Sequence, residues 1–174
     1  VMRSLSELSA NRPADTVALD AFLLLDPDGA AVVVDRRLAL DFAHVAPRLR
    51  RGGHVVVDGP AVIADPGHGA VLLTDVEQAL QTSRAGIEER WPASATDDRL
   101  AGGPIPIRRI VYNGHPEVDS RAAVLGDMVP MVRDSTGRVV ARDVELLGAL
   151  LARSETGAMI GRDRARLRRV LGLS

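Results

Sequence analysis

Three Asp-led punctuations decide what this chain can fold into. An apolar run, a short Asp-to-Gly break and a second apolar run recur at Phe22 to Asp35, Ala61 to Asp75 and Pro130 to Asp143. In Asp26-Pro27-Asp28-Gly29 and Asp65-Pro66-Gly67-His68-Gly69 each residue type has a part in reversing the chain. Asp hydrogen-bonds its own backbone at the start of a turn, Pro pre-sets φ at the next position, and Gly takes the positive φ that closes it. The flanking runs are rich in Val, Leu and Ile, so the first two copies predict β-hairpins. The third, at Asp134 to Gly137, falls among helical patterns and is read as a connection between a helix and a short strand or helix.

The first hairpin is expected to pair Leu19 to Leu25 with Ala30 to Asp35, and the near-continuous apolar character of both runs predicts cover on both faces. Leu38, Leu40, Phe42, Val45 and Leu49 then recur at near-helical spacing, with Gly52-Gly53 as the stop. That helix is expected to pack on the hairpin. Short strands at His54 to Val57 and Ala61 to Ala64 follow, and Ala70 to Thr74 closes the second hairpin.

Beyond this point the composition changes. Asp75, Glu77, Glu88, Glu89, Asp97 and Asp98 stand against Arg84 and Arg90, so the stretch is acidic. Val76 to Thr82 is expected to be helical, and Trp91-Pro92 through Gly102-Gly103-Pro104 reads as a loop. Ile105 to Tyr112 is a further strand, placed at an edge because Pro106 lacks the N–H of a ladder. Helices are expected over Ser120 to Val132, with Ser120 as cap, over Ala141 to Arg153 and over Asp163 to Leu171.

The fold class predicted is therefore α+β: a small, mostly antiparallel sheet of two β-hairpins with a packed helix, followed by a helical C-terminal segment. Residues 1–75 form the hairpin-helix-hairpin part, 76–104 the acidic connector and loop, and 105–174 the edge strand plus C-terminal helices. One compact domain overall is the expectation, since 174 residues suffice to bury a core without staples.

Composition closes off several chemistries. Cysteine is absent, which removes thiolate nucleophiles, Cys-ligated zinc and redox pairs. All 22 basic residues are arginine. Without lysine there is no Schiff-base amine and no phosphate-loop lysine, and the bias toward Arg, Ala, Gly, Val and Pro fits a GC-rich bacterial source. A net charge of −1 and four aromatic residues, Phe22, Phe42, Trp91 and Tyr112, argue against a nucleic-acid-binding protein. Val1 to Leu8 has no apolar signal core, and no apolar run approaches the length of a membrane span, so a cytoplasmic protein without membrane contact is expected.

No catalytic or cofactor motif is present. His44, His54, His68 and His115 do not share a helix face or strand face, so neither a metal nor a cofactor is implied, although Asp58, Asp65 or Asp119 could join them in space. Asp26-Pro27-Asp28-Gly29 lacks the later ligands of a calcium loop, and Asp134-Ser135-Thr136-Gly137 lacks the spacing and second copy of an aspartic protease. His68 and His115 sit beside Gly or Pro in turns, where functional groups are displayed. With Asp65, Asp119 and Arg109 they form the pool from which an acid-base site could assemble.

The C-terminal segment supplies the binding candidates. Arg162, Arg166 and Arg169 recur at i, i+4 and i+7, with Arg164 and Arg168 beside them and Ile160, Leu167, Val170 and Leu171 opposite. Such a face suits phosphates, an acidic partner, or the acidic 75–98 stretch itself. Arg108 and Arg109 could extend it. Leu147 and Leu150, on a helix apolar on more than one side, are candidates for the core or for a contact with another subunit. The function expected is a non-catalytic binding or protein-interaction protein with a protein partner or self-association. A small-molecule ligand, a small enzyme with a loop-assembled His/Asp/Arg site, and a weak phosphate or nucleic-acid contact by the arginine helix are the alternatives.

Overall fold

In a computed structural model the structure describes residues 12–57, 62–72, 81–84, 87–90, 104–118, 120–132 and 138–173, with 81–84 and 87–90 described as backbone. Asp58, Asp119, the turn at 134–137 and most of the acidic connector lie outside the described residues. The architecture is α+β, a mixed eight-stranded sheet with helices packed on it.

Strand β1 (Val17–Leu19) passes through Asp20 into β2 (Ala21–Leu25), which pairs antiparallel with β3 (Ala31–Asp35). Asp26 makes the reversal. Its Oδ1 accepts the Asp28 and Ala30 N–H groups at 3.0 and 2.9 Å, and Gly29 takes φ 84, the left-handed region a residue with a Cβ avoids. Helix α1 (Ala39–Arg51) follows, then β4 (Val55–Val57), which pairs with the free side of β2. Strands β5 (Val62–Asp65) and β6 (Ala70–Leu72) pair antiparallel across the second Asp-led turn, and β5 also pairs with β1.

With β9 spanning Ile105–Asn113, strand β1 stands at one end of the order β1-β5-β6-β9-β3-β2-β4, and β2 lies near the other end. One residue joins them, so the sheet must curl. Asp20 is the corner: its N–H donates to the Met131 carbonyl at 2.7 Å, and its carboxylate meets Arg36 Nε at 2.7 Å.

The acidic segment departs from expectation. Gln81 and Thr82 belong to β7 (Gln81–Arg84), which pairs antiparallel with β8 (Ile87–Arg90) and lies against α1. The expected helix through Thr82 therefore does not hold at its C-terminal end. Thr82 is β-branched, a residue type that suits a strand better than a helix.

Strand β9 (Ile105–Asn113) overturns the edge assignment. It is central, pairing antiparallel with β6 at its start and parallel with both β3 and β10 (Glu155–Met159) further on. Pro106 is tolerated because Ile107, not Pro106, donates to the Gly69 carbonyl on the β6 side, and pairing with β3 begins only at Ala31↔Ile107. The missing N–H thus falls ahead of the ladder it would have joined. The sheet is consequently larger and more mixed than two hairpins provide.

Between β9 and β10 run α2 (Arg121–Met128), a 3₁₀ turn at Val129–Val132 and α3 (Ala141–Leu151); α4 (Arg164–Val170) ends the described fold. Ser120 Oγ accepts the Ala123 N–H, and Asp163 Oδ1 the Arg166 N–H, each capping a helix start. The alternation of β2 explains its continuous apolar run. Leu23 and Leu25 join Val33, Ile110 and Tyr112 in one core with Met128, Leu147 and Leu150. Phe22 and Leu24 join Val34, Val111 and Met159 in a second core with Phe42, Leu49 and Leu167. Helices α2 and α3 cover one face of the central strands, α1 and α4 the other.

Candidate interaction surface

Strands β3, β9 and β10 run parallel and finish together at Asp35, Asn113 and Met159. The crevice beyond the carboxyl ends of parallel strands is where open sheets commonly bind ligands. Here an ionic knot ties the strand ends together. Asp35, 1% exposed, accepts the Arg37 N–H at 2.9 Å, the Arg37 guanidinium at 2.6 Å and the Asn113 N–H at 3.1 Å. Arg37 then donates to the Asp127 carbonyl at 3.0 Å, and Asp127 Oδ2 accepts the His115 N–H at 3.1 Å. Tyr112 is buried beneath, and that burial, with the Asp127 carboxylate adding to it, raises its phenol above the ordinary value.

The pool of acid-base candidates does not converge. His115 is exposed at the end of β9, whereas Asp65 and His68 belong to the turn between β5 and β6. There His68 Nδ1 lies 2.6 Å from Asp65 Oδ2, and Asp65 Oδ1 accepts the Gly67 N–H at 2.9 Å. The His68 hydrogen bond holds the Asp65 carboxyl below its usual range. The pair braces an exposed turn: the His68 side chain is 81% exposed. Asp119 lies outside the described residues. Arg109 bridges Glu155 at 2.9 Å and the Val170 carbonyl, tying β9 to β10 and α4. Arg108 closes the first turn, 2.8 Å from Asp26 and 3.4 Å from Asp28. Leu147 and Leu150 are fully buried in the core, so neither lines an outer face of the chain.

The C-terminal arginines do gather. Helix α4 packs beside α1 on the same face of the sheet, with Leu167 buried between them and the strands. Arg162, Arg164, Arg168 and Arg169 are exposed along and just before α4. From α1, Arg48, Arg50 and Arg51 are exposed as well. The acids on these two segments are Asp41 and Asp163, and both accept backbone N–H groups, Asp41 from Arg162 at 3.1 Å and Asp163 from Arg166 at 2.9 Å. Arg166 is half-buried and donates to the Ala158 carbonyl at 2.7 Å, so it anchors α4 rather than facing outward. The helices are further joined where Arg164 NH2 meets His44 Nε2 at 2.7 Å.

Reading the C-terminal helix alone finds only half of this surface. The arginines of α1 carry a local signal, three basic residues in its last turn, but that position also suits the helix dipole and points nowhere in particular. The knot of Asp35 and Arg37 with Asn113 and Asp127 joins three segments remote in sequence and has no sequence signature. Among the described residues no group of three or more His, Asp or Glu could hold a metal ion, and no helix is long and apolar enough to cross a membrane. Comparison with protein-family models, curated proteins and solved structures finds no match, so the functional reading is drawn from the chain's own geometry.

Proposed function

We propose that this chain is a non-catalytic interaction protein that docks an acidic protein partner on the arginine face of α1 and α4. One observation carries the reading: two helices more than a hundred residues apart in sequence lie side by side, with Arg51, Arg162, Arg164, Arg168 and Arg169 exposed on them or just before the second. Arginine presents a rigid fork that pairs carboxylates bidentately, so a field of this kind favours acidic partners and discriminates against basic ones. The chain as a whole carries a net charge of −1, which makes the segregation local. Among the described residues Asp35, Asp65 and Asp127 are engaged in holding turns and strand ends together.

The experiment is binding of the full chain to labelled poly-L-glutamate, with an Arg168→Glu/Arg169→Glu variant as the control. Both side chains are exposed, so the melting temperature should not move. Affinity is expected to fall on the order of tenfold in the variant and to weaken with added salt in the parent. Equal binding by the two proteins would defeat the reading.

A further inference from the structure

The arginine face borders an apolar one. At the N-terminal end of α1 Leu40 is 77% exposed, and Ile160, in the turn that leads to α4, is 49% exposed. Both are chain neighbours of a single contact. Asp41 Oδ2 accepts the Arg162 N–H at 3.1 Å, and a Cβ on Gly161 would lie 3.6 Å from that same oxygen. Arg162 is held there at φ 76, a conformation a non-glycine residue keeps only where its surroundings impose it. The turn is therefore pinned to α1, and it presents Ile160 and Arg162 from a fixed backbone.

Leu40 and His44 are four residues apart on α1 and share a face. His44 in turn meets Arg164. This arrangement sets an exposed aliphatic side chain one helical turn from the arginine of the neighbouring helix. Apolar anchors beside arginine are the composition of protein interfaces, where charge is depleted at the centre and Arg is enriched.

We infer that the partner segment is amphipathic as well as acidic: it places an apolar side chain on Leu40 and Ile160 and carboxylates on Arg162 and Arg164. The inference rests on the docking reading of this face. A nucleic-acid backbone would bring phosphates to the arginines but has no apolar group for Leu40 and Ile160. The described surface here also offers no aromatic ring on which a base could stack.

The test uses fluorescence anisotropy with the full chain and three probes. The first is a glutamate peptide with serine spacers, the second a charge-matched peptide with leucines spaced to one helix face, and the third a short DNA duplex. The leucine peptide should bind about tenfold tighter than the serine peptide, the fold-change expected from covering one exposed aliphatic side chain. A Leu40→Ser/Ile160→Ser variant should remove that advantage while leaving the serine peptide's affinity as it was. If the two peptides bind equally, the partner is acidic only, and this inference fails while the docking reading stands. If neither peptide binds, both fail. Tighter binding of the duplex than of the leucine peptide would also overturn both.

Discussion

Asp35 and Arg37, two residues apart in sequence, hold the carboxyl ends of two parallel strands together. The Asp35 side chain is almost fully buried, and its Oδ2 lies 2.6 Å from Arg37 NH2 and 3.1 Å from the Asn113 N–H. The guanidinium, a third exposed, reaches on to the Asp127 carbonyl. A buried carboxylate is tolerable only when paired and fully hydrogen-bonded, and here its partners are Arg37, in the 3₁₀ turn after β3, and Asn113 of β9, with Arg37 carrying the tie on to the end of α2.

Asp35→Ala removes the acceptor for the Arg37 and Asn113 N–H groups at once. The loss expected is about 3 kcal/mol of unfolding free energy, the scale for breaking a buried pair when one partner is partly screened by solvent. Asp35→Asn keeps one acceptor oxygen and should lose less. Urea titration at neutral pH measures both, and an alanine variant as stable as the parent would show that the knot is not a structural tie.

Gly157 of β10 is required by the approach of α4. A Cβ built there would overlap Val170 Cγ1, and a β-branched side chain has little freedom to turn aside. Gly157→Ala should therefore cost about 1–3 kcal/mol, and adding Val170→Ala should recover a large part of it. The double-mutant cycle decides the matter, since strict additivity would mean that the two positions do not compete for space.

That same strand shows why part of the fold was illegible in sequence. The Asp26 and Asp65 turns are local devices, and so are the Ser120 and Asp163 caps; each can be read from a few neighbouring residues. Glu155-Thr156-Gly157-Ala158-Met159 has no run of β-formers and becomes a strand because β9 offers it a parallel ladder. The edge reading of β9 failed for a related reason. Pro106 forbids one ladder hydrogen bond, not a central position, and only the tertiary stagger of β3 reveals that the forbidden bond is never needed. Of the candidate surface, the arginines of α4 were visible as a helical stripe, whereas their union with Arg48, Arg50 and Arg51 depends on how α1 and α4 pack across the sheet.

Tyr112 is the chain's one tyrosine, so tyrosinate absorbance reports on it alone. Burial, then the Asp127 charge, raises its phenol above the ordinary value of about 10, with Arg166 opposing. A group raised in the folded state contributes stability that is fully present below the unfolded value and is lost as pH rises through the folded value. The folded protein should thus titrate above 10 and unfold more readily as that range is crossed, and the midpoint should return to about 10 in urea. Identical midpoints in the two states would refute the burial account.

Leu147 separates core from interface. It is 0% exposed and packs within the core beneath the central strands, so Leu147→Ala leaves a cavity that only partial collapse can fill. The expected cost is about 2–5 kcal/mol, read as a lower urea midpoint. Because the side chain lies on the α3 side of the sheet, opposite α1 and α4, affinity for poly-L-glutamate should remain that of the parent under conditions where the variant is folded. A variant that kept its stability but changed its subunit count by sedimentation would instead place Leu147 at a contact between copies of the chain.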